Sequence, residues 1–208
     1  MSALLQEVLV DQLRDLLHAE GQLVKALPKM ARAAKSPQLK TGFQNHLAET
    51  QNQVERLKQV FELLGENAKA KPCKAMQGLI EEGQETIAEG KEMENVAADL
   101  ALAVSAQKIE HYEIAGYGSV RTIAEALGNQ KIVKLLAQTL AEEEKQDKLI
   151  TQGCAPLIEE AGQEVEEAAS LRRPGGFMQP GQAFPVWTVQ RTNGRTASRA
   201  IRARSDGH

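Results

Sequence analysis

HAEGQLV at residues 18–24 and HYEIAGY at residues 111–117 are two copies of one short pattern, placed 93 residues apart. In each copy a histidine stands two residues before a glutamate, within a run of apolar residues that recur every three or four positions. This spacing is typical of one face of an α-helix. The pattern therefore places Glu20 and Glu113 on the apolar faces of two helices, where a buried carboxylate needs a partner.

The composition predicts an all-helical protein of the cytoplasm. Aromatic residues make up 3% of the 208 residues, whereas the strong helix formers Ala, Leu, Glu, Gln and Lys are abundant. Cys73 and Cys154 are too few for a disulfide framework, which favours a reducing compartment. The first residues carry acids instead of a basic segment followed by an apolar run, and no apolar run reaches about 18 residues. We therefore expect neither a signal peptide nor contact with a membrane.

The apolar periodicity predicts four long helices and two short ones. Pro28 should kink or interrupt the first helix, and Ser36 with Pro37 should start the second. Gly65, Gly90 and Gly153 follow apolar stripes as expected ends of helices. The long helices are predicted over residues 4–34, 37–64, 92–127 and 130–152, and the short ones over residues 73–89 and 156–169.

The order of these helices indicates a ferritin-like four-helix bundle. Short turns join the first helix to the second and the third to the fourth, whereas a long connection with its own helix separates the two hairpins. Residues 1–169 are predicted to form this bundle, with residues 156–169 as a short fifth helix. Residues 170–208 are rich in Pro, Gly and Arg and are predicted to be disordered. They carry a net charge of +6, which leaves −9 for the rest of the chain.

The two hairpins resemble two copies of one unit. LLHAEGQLVKAL at 16–27 aligns with IEHYEIAGYGSV at 109–120, which pairs Glu20 with Glu113. HLAETQNQ at 46–53 resembles LAEEEKQD at 140–147, although the register of this second alignment is ambiguous. If Gln53 pairs with Asp147, then Glu49 pairs with Glu143. Each hairpin would then place one acid on each of its two helices.

Inward acids on all four long helices indicate a metal site. Several carboxylates in one apolar core repel each other, and a pair of divalent cations removes that repulsion. Carboxylates with one imidazole suit iron or manganese, so the expected cofactor is two Fe or Mn ions. Gln53, Tyr112 and Tyr117 are predicted to lie next to the ligands, where the two tyrosines either hydrogen-bond a carboxylate or only pack in the core with an exposed hydroxyl. The candidate ligands are Glu20, His46, Glu49, Glu110, Glu113, Glu143 and Asp147.

Four motifs resemble the YciE/YciF-type ferritin-like proteins: HLAETQNQVERLKQVFELLG, GLIEEG, QKIEHYEIAGYGS and TLAEEEKQDKL. The resemblance covers about residues 3–160. It implies a fold similar to rubrerythrins and ferritins, an association with bacterial stress responses, and a di-iron or ferroxidase-like site. The predicted reaction is therefore oxidation of Fe(II), or consumption of O2 or H2O2, in the bundle core. A homodimer is expected by analogy with ferritin-like bundles.

Two departures from the ferritin-like pattern keep a second hypothesis open. That pattern has Glu-x-x-His on two helices, whereas here helix two has His46-x-x-Glu49 and helix four has no histidine. Such a His-poor site favours manganese, or it is a degenerate site in a non-catalytic stress protein. That protein would act through oligomerisation or through its tail. Nucleic acid is an expected partner only through the basic residues 170–208.

Overall fold

Five helices form nearly all of the part of the chain that the structure describes. The structure is a computed structural model that describes the backbone of residues 2–171 and the side chains as far as residue 163. No strand occurs within residues 2–171, so the predicted all-α class is confirmed. The helices are α1 Ala3–Ala33, α2 Pro37–Leu64, α3 Lys74–Glu89, α4 Asn95–Ala126 and α5 Gln130–Leu171.

The boundaries of α2 and α3 follow from local chemistry. Pro37 stands at the start of α2, and the Ser36 hydroxyl accepts a hydrogen bond from the Leu39 N–H at 3.5 Å. Gly65 ends α2 in the left-handed conformation with φ of 69°, as its position after the apolar stripe predicts. At the start of α3, the Cys73 sulfur accepts from the Met76 N–H at 3.4 Å.

The predicted break before a short fifth helix is wrong, because α5 is continuous through Gly153 and Pro156. Gly153 is buried against the start of α2, and Leu157 is buried one turn further on, so packing keeps the segment on the core. A helical glycine costs only about 1 kcal/mol, less than the loss of this packing. Pro156 has no N–H to donate to the carbonyl of Gln152, four residues earlier. Gln152 is exposed, so water can hydrogen-bond this carbonyl instead.

Two other boundaries differ slightly from the prediction. α1 runs through Pro28 without interruption, and α4 begins at Asn95 instead of near residue 92. Residues 172–208 lie outside the described residues, and the predicted disordered extension falls almost entirely among them. None of the described helices combines the length and the apolar character needed to cross a bilayer.

Contacts between the hairpins define the bundle. Asp99 near the start of α4 contacts the α1–α2 turn, and Gly116 further along α4 contacts Leu16 on α1, so α1 and α4 are antiparallel. The pairs Gln53–Glu142 and Arg56–Thr139 show that α2 and α5 are antiparallel as well. The helix α3 lies in the long connection and packs on α1 and α4. This arrangement is the ferritin-like bundle expected from the helix order.

The core consists of two apolar clusters separated by a polar layer. The first apolar cluster lies towards the α1–α2 turn and includes Leu23, Phe43, Ile109 and Ile150. The second apolar cluster lies towards the α4–α5 turn and includes Leu13, Leu16, Phe61, Tyr117 and Leu136. Each long helix passes from one cluster to the other, and the residues between them are buried and polar. The fold thus surrounds a set of polar side chains with apolar layers that exclude water.

Asp99 is predicted to anchor the two hairpins to each other. Its carboxylate is buried and accepts the Lys35 N–H at 2.8 Å and the Ser36 N–H at 2.6 Å. Replacing Asp99 by Ala leaves both N–H groups without their acceptor. We expect the free energy of unfolding in urea to fall by about 3 kcal/mol, because hydrogen bonds to charged groups contribute more than neutral ones. Asp99→Asn keeps one acceptor and should lose less. Unchanged stability of the Ala variant would contradict this role.

Candidate metal centre

The polar layer receives side chains from all four long helices. The helix α1 contributes one carboxylate, α2 contributes one imidazole with a hydroxyl and an amide, and α4 and α5 contribute the remaining carboxylates and a second amide. All of these side chains are buried. In chain order, the residues are Glu20, His46, Thr50, Gln53, Glu110, Glu113, Glu143 and Gln146.

Four of these side chains converge on one small volume. His46, Glu110, Glu113 and Glu143 each offer one ligand atom, and these four atoms all lie within 4.8 Å of one another. The His46 Nε2 atom is 3.3 Å from a Glu110 oxygen and 3.8 Å from a Glu143 oxygen. Oxygen and nitrogen donors at this separation match the ligand set of a divalent cation such as iron or manganese.

The hydrogen-bonding capacity of the cluster is largely unused. Both oxygens of Glu113 and of Glu143, both ring nitrogens of His46, and one oxygen each of Glu20 and Glu110 have no hydrogen-bond partner. Native proteins pair the large majority of their buried polar atoms, so this concentration of unpaired atoms marks a site that protons or a cation would neutralise. A metal ion fits this donor set because it would coordinate several of these atoms at once.

Burial and mutual repulsion raise the pKa values of the cluster carboxyls. Burial raises the pKa of Glu113 well above its usual value of 4.5, and the charges of Glu20, Glu143 and Glu110 raise it further. Burial and the nearby Glu143 do the same to the pKa of Glu20 and of Glu110. The pKa of Glu143 is also raised by burial, although His46 opposes this shift. Without a cation, the layer therefore holds protons that metal binding would displace.

Glu20 lies next to the four converging side chains but does not belong to their set. The buried Tyr117 hydroxyl donates a hydrogen bond to one Glu20 oxygen. The other Glu20 oxygen has no partner. Tyr117 was predicted to hydrogen-bond a ligand carboxylate, and the structure places its hydroxyl in that position.

Glu49 and Asp147 are turned away from the cluster. A Glu49 oxygen accepts from the Lys145 ammonium at 2.9 Å, and the nearby His46 ring, whose Nδ1 lies 3.8 Å from the other Glu49 oxygen, is the main reason why the pKa of Glu49 is lowered to about 2. Asp147 accepts from Gln107 at 3.1 Å and lies 3.4 Å from the His111 ring. At 100° per residue, Glu49 lies about 60° around its helix from His46 and Asp147 about 40° from Glu143, so both side chains stand at the margin of the buried stripe. The structure does not bring these two predicted ligands into the centre.

The burial pattern corrects the register of the internal repeat. Thr50 and Gln53 are buried on α2 in the same way as Glu143 and Gln146 on α5, with a constant offset of 93 residues. The conditional pairing of Glu49 with Glu143 has an offset of 94, which does not match this burial pattern. The opening repeat, HAEGQLV and HYEIAGY, has the same 93-residue offset. Adding 93 to the residue numbers of α2 would therefore have given the correct register of α2 against α5.

A second polar network adjoins the cluster and was missed by the sequence patterns. The Arg56 guanidinium donates to both Glu142 oxygens at 2.8 and 2.9 Å and to the Thr139 hydroxyl at 2.6 Å. The Gln53 amide nitrogen donates to Glu142 at 3.1 Å, while the Gln53 oxygen is buried and unpaired. Gln53 therefore lies in the polar layer, and its predicted place beside metal ligands stays a prediction. The sequence feature that could have revealed this network is Arg56, a charged residue beside the buried stripe of Gln53, Leu57 and Val60.

Tyr112 faces the crossover connection instead of the cluster. Its hydroxyl donates to Asp15 on α1 and lies 2.9 Å from the Cys73 sulfur. The Cys73 N–H in turn donates to His18 Nδ1 at 2.9 Å. These contacts attach the start of α3 to α1. Tyr112 therefore hydrogen-bonds a carboxylate, but not one of the cluster, and the His18 of the opening motif holds the connection in place.

A protein-family comparison identifies the family of this chain. Residues 4–163 match a family model described as a domain of unknown function, DUF892. The chain belongs to this family. Protein YciF of Escherichia coli K12 is 46% identical over 149 residues, which cover 71% of this chain and 88% of that protein. The resemblance to YciF-type proteins is thereby confirmed, and the Arg-rich residues 170–208 lie outside the matched DUF892 segment.

Solved structures of relatives show the same fold. The crystal structure of the E. coli stress protein YciF superposes with a TM-score of 0.71 at 42% identity, over 76% of this DUF892 chain and 99% of that one. YcfI from Rhodopseudomonas palustris, described as a candidate structural protein, superposes with a TM-score of 0.67 at 41% identity. The match covers 71% of this chain and 92% of that one. A Xanthomonas campestris protein superposes with a TM-score of 0.59, over 78% of this chain and 99% of that one. At 21% identity this match supports the fold alone.

The raised pKa values predict that the metal-free protein loses stability as the pH rises. The cluster carboxyls ionise near pH 4.5 in the unfolded chain but keep their protons to higher pH in the fold. Above pH 4.5 the folded state therefore binds more protons, and its free energy of unfolding falls with pH. The slope is at most about 1.4 kcal/mol per pH unit for each carboxyl. Urea titrations of chelator-treated protein from pH 5 to pH 8 measure this slope.

Two variants identify the source of the slope. Glu113→Gln removes one buried titrating group and should make the slope shallower, whereas Glu55→Gln changes an exposed carboxylate paired with Lys58 and should leave it as in the wild type. Equal slopes in all three proteins would show that the cluster does not control the pH dependence.

Proposed function

We propose that this DUF892 protein binds iron or manganese in the polar layer and oxidises Fe(II) there, or consumes O2 or peroxide. The observation that carries the proposal is the convergence of His46, Glu110, Glu113 and Glu143 with most of their polar atoms unpaired. Ordinary structural carboxylates are paired in the fold, as Asp99 is with two backbone N–H groups. The unpaired oxygen and nitrogen atoms of the polar layer instead surround one small volume.

The residues of the polar layer would form two adjacent metal positions. His46, Glu110, Glu113 and Glu143 would hold one ion, and Glu20 together with the central Glu113 and Glu143 would hold a second. Iron bound in this layer would supply the electrons that reduce O2 or peroxide. The carboxylates favour the more highly charged, oxidised metal by their negative charge. The two apolar clusters keep bulk water from the reaction.

The comparisons support the biological setting of the proposal. The relative YciF of E. coli is described as a stress protein, and this chain shares nearly half of its residues over most of that protein. We therefore propose a role in the response to oxidative or metal stress, in the cytoplasm and as a homodimer.

A second candidate function is a non-catalytic helical protein with a reduced metal site. Thr50, Gln53 and Gln146 are neutral, although they occupy inward positions in the same layer as the carboxylates. The relative YcfI is described as a candidate structural protein. A metal that only stabilises the fold would need fewer and weaker ligands than a redox centre.

Metal content provides the first test. Protein purified without chelator or affinity tag should contain iron or manganese, measured per chain by mass spectrometry. The Glu113→Gln, Glu143→Gln double variant should lose it, because two central ligands lose their charge. Glu49→Gln is the matched control and should keep its metal, since Lys145 holds Glu49 at the edge of the bundle. Wild-type metal content in the double variant would contradict the site.

The stability of the fold provides an independent readout of metal binding. Free metal at about 100 times its dissociation constant should raise the free energy of unfolding by about 2.7 kcal/mol. Thermal melts with Fe(II) under argon, Mn(II) or chelator measure this shift in the wild type and in the double variant. Melts of the folded wild type that do not respond to metal would remove the basis of the proposal.

An activity assay distinguishes the two candidate functions. Anaerobic protein loaded with Fe(II) should consume added O2 or H2O2 faster than free Fe(II) does, and the double variant should lose this excess rate. Glu49→Gln should retain it. Metal binding with no rate above that of free Fe(II) would favour the structural function, because the layer would then hold metal without reacting.

A further inference from the structure

The internal repeat divides the polar layer into two unequal halves. Glu20 and Glu113 are equivalent under the 93-residue offset, and so are Thr50 and Glu143, so these four residues occupy the middle of the layer. His46 and Glu110 extend the layer towards the first apolar cluster, which contains Phe43 and Ile109. Tyr117 and Gln53 extend it towards the second apolar cluster, which contains Leu57.

The first half, next to the first apolar cluster, is a complete set of ligands. His46 and Glu110 combine with the central Glu113 and Glu143, and the four ligand atoms lie within 4.8 Å of one another. Tyrosine and arginine donors do not reach this set: both nitrogens of His46 and both oxygens of Glu113 and Glu143 are without a hydrogen bond. A divalent cation would meet three carboxylates and one imidazole.

The second half lacks counterparts of the two outer ligands of the first half, His46 and Glu110, and carries a hydrogen-bond donor of its own. Under the 93-residue offset, the second half has Tyr117 where the first half has Val24. It has Thr139 where the first half has His46, and Leu17 where the first half has Glu110. The Tyr117 hydroxyl donates to Glu20, the fully buried carboxylate that this half adds to the central pair.

An ion pair stands beside this second half. The Arg56 guanidinium is fixed by both oxygens of Glu142 and by the Thr139 hydroxyl, and the Glu142 carboxylate balances its positive charge. Only one Glu20 oxygen and the Gln53 oxygen remain unpaired there, apart from those of the central residues. The Tyr117 phenol proton thus partly replaces a second metal ion at Glu20.

We infer that the two metal positions are filled in order: the first half binds one cation tightly, and the Tyr117–Glu20 hydrogen bond weakens binding of the second. The inference rests on the proposed function, because it assigns unequal affinities to the positions of that same centre. A second ion must take Glu20 from Tyr117 and must approach the first ion. Each of these steps opposes binding, whereas none of them affects the first half.

Titration of the full-length, chelator-treated protein with Mn(II) under argon tests this order. The EPR signal of free Mn(II) counts the ions bound at each concentration, and Mn(II) prefers oxygen ligands without reacting with them. The wild type should bind one Mn(II) per chain tightly and a second at least about tenfold more weakly. A tenfold weakening corresponds to the loss of one hydrogen bond to a charged group.

Three variants assign the two binding events. Tyr117→Phe should strengthen the second event by about tenfold and leave the first unchanged, because Glu20 is released. Glu20→Gln should remove the second event and keep the first. Tyr112→Phe is the matched control, since the other tyrosine of the chain bonds Asp15 outside the layer, and it should titrate like the wild type.

The outcomes separate this inference from the proposed function. Two Mn(II) ions bound with equal affinity in the wild type, or a first event weakened by Glu20→Gln, would overturn the filling order while leaving a metal centre in place. A Tyr117→Phe titration identical to that of the wild type would overturn the role of Tyr117. No Mn(II) bound to the folded wild type would overturn the proposed centre itself, and the filling order with it.

Discussion

The interaction on which the structure depends is the repulsion among carboxylates enclosed between two apolar layers. Glu20, Glu110, Glu113 and Glu143 come from three helices and meet with one imidazole, His46, at a depth that water does not reach. Such a layer can exist only if protons or metal ions neutralise it. The bundle supplies the rigidity that keeps the acids together, because the apolar clusters above and below bind the same four helices into one core.

Duplication explains the architecture, and divergence of the two copies explains the site. The two hairpins repeat with one offset, so the inward positions of α1 match those of α4, and the inward positions of α2 match those of α5. At these positions the side chains now differ. One copy provides Glu143 where the other provides Thr50, and one provides His46 where the other provides Thr139. The layer is therefore asymmetric, with His46 and Glu110 on one side and Tyr117 with the Arg56–Glu142 pair on the other.

Contacts outside the layer are needed to keep this asymmetric centre in register. Asp99 attaches the α1–α2 turn to α4, and His18 attaches the crossover connection to α1 through the Cys73 backbone. The Arg56–Glu142 pair joins α2 to α5 next to the ligands. These three attachments act on different pairs of elements, so together they restrict sliding of one hairpin against the other. Sliding by one helical turn would separate His46 from Glu110 and Glu143.

The sequence by itself determined the helices, the bundle, the family, and most of the buried acids. Apolar periodicity of 3.6 residues is a local property, and it identified Glu20, Glu110, Glu113 and Glu143 because each interrupts an apolar stripe. Only the tertiary structure decided which acids meet. Glu49 and Asp147 stand at the margin of the buried stripe, where they pair with Lys145 and Gln107 instead of reaching the centre. The continuity of α5 and the Tyr117–Glu20 bond also arose from contacts between distant segments, which no local pattern encodes, because packing between helices outweighs local propensity.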